Sequence, residues 1–452
     1  MRFSVIVGAT MVFQMTFAAA GAGPLEDARA RWSNAEMMQR IDAGIERHRK
    51  GDMAVQVLDK EGRPVSGAEV TAVQKTHAFL FGANLFVLGQ LATPELNAKY
   101  ERAFTGIFNF ASIPFYWKDL EPEPGVPRFA ESAPYIWRRP PPDILVAWCK
   151  AQEITAKGHP LLWHSINPDW MPKEPEALHA AYITRFEEIA RRYGNDVAIW
   201  DVVNESLVSD SKYPLYTPGQ TYVPWAFEQA HRVFPESSLL MINEVMTVSH
   251  RVIGENRYYR QIEALLKQGC GIEGIGFQFH FFTRDVLDKE FLSNPGMGPE
   301  SLFDVYEAFG KFGLPLYITE ITIPGSGPDG PAIQAETVAN LYRLWFSVEK
   351  MAGITWWNLA DNTAYGNENS ALGGLADENL DPKPAYQALD RLINHEWKTR
   401  FNGVTDAGGR CAFRGFAGNY EISVAVPGGE VRHLAQSLEA GKKNECASIA
   451  KQ

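Results

Sequence analysis

The feature that most constrains this chain is an eightfold alternation of short apolar runs with longer amphipathic segments across residues 78–395. The apolar runs are Phe79–Leu85, Ile107–Ile113, Ile154–Trp163, Val197–Glu205, Ser238–Glu244, Ile272–His280, Leu314–Glu320 and Gly353–Asn358. Segments such as Leu178–Tyr193, Trp225–Phe234, Arg257–Gln268 and Ile333–Lys350 separate them with helical periodicity. Near-continuous apolar runs are what strands buried on both faces require, and helices covering both faces of a parallel sheet supply that burial. Eight such units predict an α/β fold of the (β/α)8 TIM-barrel type. The competing doubly wound open sheet lacks its signature here, because no glycine-rich phosphate-binding turn follows the first strand.

The chain has a different rhythm at its two ends. Residues 23–50 read as a helix, with Met37, Met38, Ile41 and Ile45 on one apolar face. Residues 51–77 alternate with a period of two around the turn Asp59-Lys60-Glu61-Gly62 and read as a β-hairpin. Residues 396–452 carry two further short strands, Arg410–Phe416 and Gly418–Val424, with glycine turns. An isolated hairpin is marginally stable in water, so both β-rich segments are expected to join in one small β-sandwich-like accessory module. Pro140-Pro141-Pro142 marks a loop inside the barrel, not a domain boundary.

Arg2, the apolar run Val5–Ala18 and the small residues to Ala22 resemble a signal peptide over residues 1–22, so export to the periplasm or medium is expected. No later run reaches the ~20 apolar residues of a membrane span. A net charge of −11 disfavours nucleic acid and anionic membrane as partners. The four cysteines lack metal-ligand spacing; Cys411 and Cys446 are the pair expected to bridge if any does, with Cys149 and Cys270 free. Twelve tryptophans fit either a large core or sugar-stacking platforms. No pattern points to a metal or an organic cofactor, and oligomeric state is left open.

Barrel enzymes place their reacting groups at the C-terminal strand ends. There the fourth run ends Trp200-Asp201-Val202-Val203-Asn204-Glu205 and the seventh ends Tyr317-Ile318-Thr319-Glu320. Two carboxyl groups facing one substrate, one protonated and one ionised, can cleave a glycosidic bond by double displacement. Either glutamate alone reads as readily as a solvated strand-end charge. His159 and His280 read as readily as satisfied core histidines.

Trp200–Glu205 is similar to the acid/base motif of glycoside hydrolase family 10, the endo-β-1,4-xylanases, and Ile318-Thr319-Glu320 to its nucleophile motif. Gly158-His159-Pro160-Leu161-Leu162-Trp163-His164-Ser165, Gly274–His280 and Lys383-Pro384-Ala385-Tyr386 resemble its third-strand, sixth-strand and closing motifs. The resemblance implies a polysaccharide or oligosaccharide substrate, with Glu205 as acid/base and Glu320 as nucleophile. Asn204 would bind the sugar 2-hydroxyl and His280 would orient Glu320. His159, Gln278, Trp163, Trp117, Trp357 and Tyr365 would bind sugar. Asn243-Glu244 resembles a pair that supports the site.

Departures cluster on the glycone side. The family's Glu-Asn-x-x-Lys-Trp stretch is here Ser112-Ile113-Pro114-Phe115-Tyr116-Trp117, the third-strand glutamine is Ile166, and Tyr365 replaces a tryptophan. A site that loses buried sugar-binding polar groups changes its specificity. Two further readings therefore stand beside a xylanase: the same chemistry on another glycan, and a carbohydrate-binding barrel without catalysis.

Overall fold

The computed structural model describes residues 24–208, 210–245, 253–426 and 431–450. The signal-like segment lies outside the described residues. In chain order the strands are β1 (Lys50–Leu58), β2 (Glu69–His77), β3 (Leu80–Asn84), β4 (Phe110–Pro114), β5 (Thr155–His159) and β6 (Leu162–Trp163). Next come β7 (Ile199–Asn204), β8 (Leu239–Glu244), β9 (Gly274–His280), β10 (Leu316–Thr322) and β11 (Met351–Trp356). The last are β12 (Arg400–Val404), β13 (Arg410–Phe416), β14 (Gly418–Ala425), β15 (Val431–Leu438) and β16 (Lys443–Ala450).

Parallel pairing runs β3–β4–β5–β7–β8–β9–β10–β11 and returns from β11 to β3, which closes the eight-stranded (β/α)8 barrel. The third apolar run forms two strands, because Pro160 has no N–H for the ladder; β6 continues the stave beside β7. Helices connect the staves. Pro94–Ile107, for example, starts with Thr93 accepting from the Leu96 N–H and buries Tyr100, Phe104 and Ile107 at helical spacing. Ile107 thus ends a helix, and β4 begins only at Phe110. In the third-strand motif, a Cβ on Gly158 would stand 2.2 Å from the Trp200 ring, so only glycine lets that indole lie across the strand. The closing motif braces the ring from outside: Tyr386 donates to the Ala103 carbonyl at 2.9 Å, and Lys383 pairs with Asp361 at 3.1 Å.

The N-terminal helix is two helices, Pro24–Trp32 and Ala35–Arg49. Asn34 breaks them by accepting from the Met37 N–H, an N-cap that starts the second. Ile41 and Ile45 are buried, as their spacing predicts.

The strands at the two ends of the chain form a sandwich, but not through a hairpin. β1 lies between β13 and β16 in one sheet, while β2 lies between β12 and β14 in the other, with β15 at its edge. Each sheet turns one alternating face inward, so Met53, Val55 and Val57 meet Val70, Ala72, Tyr420, Ile422 and Val424 in a shared core. Side-by-side pairing of β1 and β2 would remove that opposition; the C-terminal strands supply the pairing instead. Cys411 is a free thiol. β13 and β16 flank β1 on opposite sides, with Cys411 and Cys446 both in register with Val55. Two strand spacings, about 9.5 Å, exceed the Cα separation a disulfide spans; the expected pair is corrected on that ground, the Cys446 side chain itself being outside the described residues. Cys149 and Cys270 are free and buried.

Candidate active site

Nine of the ten residues predicted to form a site line one cavity of about 470 Å³: Glu205, Glu320, His159, Trp163, Asn204, Gln278, His280, Trp357 and Tyr365. Trp117 does not. Its ring is 4% exposed, packs against Tyr182 at 4.6 Å and Trp170 at 5.6 Å, and donates through Nε1 to Glu121 Oε2 at 2.8 Å. A short helix, Trp117–Leu120, turns it away from the cleft into the packing beneath.

Strict strand alternation would send Asn204 and Glu205 to opposite faces. Glu205 escapes this because it lies one residue past β7 with φ +61°, a left-handed conformation costly for a side-chain-bearing residue. Its N–H is tied to the Asn243 carbonyl at 2.8 Å. The Glu205 carboxyl accepts from Trp163 Nε1 at 2.9 Å and from Gln278 Nε2 at 3.0 Å. Beyond it, the Glu244 carboxyl accepts from the Leu207 N–H at 2.7 Å and holds the following turn. Burial pushes the Glu244 pKa up to about 7, against the lowering effect of its backbone donors.

Glu320 sits within β10, 4% exposed. Asn243 Nδ2 donates to its Oε1 at 2.8 Å, and His280 Nε2 lies 3.1 Å from its Oε2. His280 is held in turn by Thr322 at 2.9 Å through Nδ1. Burial alone would raise the Glu320 pKa. The charges of His159, His280 and Lys157, with the His280 hydrogen bond, outweigh it and the net shift is downward. Glu320 is therefore poised as the ionised carboxylate.

Asn243 is the hub between the two acids. One amide nitrogen donates to Asn204 Oδ1 and to Glu320 Oε1, each at 2.8 Å, while its oxygen accepts from Thr319 at 2.5 Å. Gln278 Nε2 reaches Asn204 Oδ1 at 3.3 Å and Glu205 at 3.0 Å. Four hydrogen bonds thus run Glu205–Gln278–Asn204–Asn243–Glu320. A Cβ on Gly276 would stand 2.7 Å from the Asn243 oxygen, so this glycine makes room for the hub.

Under His159 lies a charge cluster that the motif reading passed over. Lys157 Nζ is 2.5 Å and His159 Nδ1 is 2.7 Å from Asp201 Oδ2, with Lys157 and Asp201 wholly buried. Burial works against the Asp201 carboxylate, but Lys157 and His159 lower its pKa overall. Period-two spacing could have found part of it, because Lys157 and His159 share a face of β5. The cavity wall also carries Tyr116, from the stretch that departs from the family pattern, and Phe86, Arg138, Arg139 and Glu368, none of which sequence assigned to the site.

Residues 117–391, more than half of the 452, match the family model described as glycosyl hydrolase family 10. The chain belongs to glycosyl hydrolase family 10. It is 27% identical over 280 residues to endo-1,4-beta-xylanase B of Thermotoga neapolitana, covering 58% of this chain and 75% of that protein. It is 25% identical over 414 residues to anti-sigma-I factor RsgI6 of Acetivibrio thermocellus, covering 89% of this chain. The match spans only about half of that relative, 49% of its length. Native xylanase 10B from Thermotoga maritima shares the fold, with a TM-score of 0.58 at 24% identity over 71% of this chain and 96% of that one.

Proposed function

We propose that this chain is a retaining β-glycosidase, with Glu320 as nucleophile and Glu205 as acid/base. The observation that carries the reading is the four-bond relay joining the two carboxyls across one cavity. Ionised Glu320 attacks the anomeric carbon while Glu205 gives its proton to the leaving oxygen, leaving a glycosyl ester on Glu320. Glu205 then takes a proton from the water that attacks the same carbon, which frees the sugar and restores both carboxyls. Donors to Asn204 Oδ1 leave its N–H groups for the sugar 2-hydroxyl, a bond that strengthens as the oxocarbenium character develops. Trp357, edge-on to Phe86 at 5.2 Å and to His159 at 5.5 Å, is held rigidly as a sugar platform.

Xylan is the first substrate to test, supported by the family and by the name of the T. neapolitana relative. The test is a glycan panel run on wild type, Glu205→Gln and Glu320→Gln. Glu320→Gln is expected to stop cleavage of every substrate. Glu205→Gln is expected to keep ester formation from aryl glycosides with good leaving groups and to lose cleavage of polysaccharide. Unchanged turnover in Glu320→Gln would refute the assignment. The same centre acting on another glycan is the second reading, favoured by Ser112, whose buried hydroxyl has no hydrogen-bond partner where the family's stretch grips sugar. Export rests on the signal-like residues 1–22; fractionation of cells expressing the chain with and without them tests it.

A further inference from the structure

Arg138 is a cation walled into the cleft without a counter-ion. Its side chain lines the cavity and the residue is 3% exposed. Nη2 donates to the neutral Asn358 amide oxygen at 2.9 Å, and Nε is buried with no acceptor. Neighbouring Arg139 has an ion pair, Asp119 at 2.8 Å; Arg138 has none among the described residues. The guanidinium faces Phe86, 5.4 Å from the ring centroid. Burial drags its pKa down to about 10. A buried charge lacking a partner is costly, yet the backbone is bent to place it. Arg138 adopts φ +61°, and Gln90 Oε1 accepts its N–H at 2.7 Å to hold that conformation.

Glu368, an acid lining the same cavity, does not serve as its counter-ion. Glu368 Oε2 is also buried without a hydrogen bond, and it senses Arg138 without forming an ion pair. Two unmet polar groups thus line the cavity that holds Glu320, which Tyr116 and Trp357 also line.

We propose that Arg138 makes this wall a subsite for a sugar carboxylate, so that the glycan bound here carries uronic acid units. A planar guanidinium with free donors matches a carboxylate geometrically and supplies the charge that a neutral pentose or hexose cannot use. The inference rests on the glycan-cleaving reading above and narrows its substrate class.

The test compares methyl β-D-glucuronide with methyl β-D-glucoside, which differ only in a carboxylate for a hydroxymethyl group. Binding to the full chain is measured calorimetrically for wild type and Arg138→Met. Wild type is expected to hold the glucuronide at least tenfold more tightly, about what one charge-assisted hydrogen bond contributes. Arg138→Met should erase that preference and leave glucoside binding within about twofold. Equal affinities in wild type would overturn the proposal, a result that needs no variant to fold. Equal weakening of both sugars in Arg138→Met would assign the guanidinium to bracing Asn358 and overturn it as well. Because binding is read without turnover, the outcome is independent of the Glu320→Gln assay.

Discussion

Replacing Lys157 by Met tests whether the site rests on a buried charge cluster. Lys157 and Asp201 have no exposed side-chain surface, and their contact is 2.5 Å. Methionine fills similar volume but leaves Asp201 with His159 as its only side-chain donor, while its other oxygen has no partner at all. Removing one member of a buried pair costs about 3–5 kcal/mol; retention of the His159 bond places this case near the lower end. Urea unfolding followed by tryptophan fluorescence at pH 7 reads the loss directly. The pH dependence has a definite sign. In wild type the lowered Asp201 pKa contributes stability above the unfolded value, lost as pH falls through the folded one. Without Lys157, burial dominates and the carboxyl protonates sooner, so the gap between variant and wild type should narrow as pH falls from 7 towards 5. Asp201→Asn should be costly too, and the double variant should cost at least ~2 kcal/mol less than the sum of the singles. Additive penalties, or a Lys157→Met cost below about 1 kcal/mol, would refute the reasoning.

Asn243→Ala cuts the relay at its hub. The lost bond to the Glu320 carboxylate should lower kcat by about 10- to 100-fold with little change in KM, and a kcat within about twofold of wild type on an aryl glycoside would exclude the hub role. At the joint of sandwich and barrel, His77 Nε2 lies 2.9 Å from the Ile393 carbonyl and Nδ1 lies 3.3 Å from the Gln74 amide, the pattern of a neutral ring. Burial depresses its pKa to about 4. The unfolded ring therefore binds its proton first, and stability should fall as pH drops from about 6.5 to about 4, by about 2–3 kcal/mol. His77→Asn should flatten that part of the urea-midpoint curve, and an unchanged slope would show that His77 is not its source.

The barrel was legible because burial on both faces leaves a direct mark: β4, β7 and β10 are buried along their whole length, and their sequences are apolar runs cut by polar strand ends. Glu205 and Glu320 were legible because each closes an apolar run in the sequence, although Glu320 proves to lie buried within β10. What sequence could not give was any contact between staves. Asn243 reads as one more polar end, and only the barrel's closure brings its amide to both Asn204 and Glu320. The apparent hairpin at β1 and β2 failed likewise. Alternation tells which residues face inward, not which strand lies alongside, and the partners β13 and β14 are more than 300 residues away. Trp117 shows the limit of residue type as a guide, because a tryptophan suits a core as well as a sugar face.

The polar interior and the reactive rim are best understood as one system. A carboxylate as buried as Glu320 would ordinarily be driven to protonate. It is kept ionised by His280 at 3.1 Å and by His159, whose Nε2 is 3.8 Å away. His159 is oriented by Asp201 through Nδ1, and Asp201 is held charged by Lys157. The chain of influence therefore descends from the cleft to the middle of the barrel, through side chains on β10, β5 and β7. Lys157 does not line the cleft cavity, yet it sets the charge of a group that would touch the substrate. A loss of activity in Lys157→Met should then show as a shift of the acid limb of the kcat/KM profile to higher pH, because Glu320 gives up one of the cations that lower its pKa. A uniform drop at every pH would instead assign Lys157 to holding the fold alone.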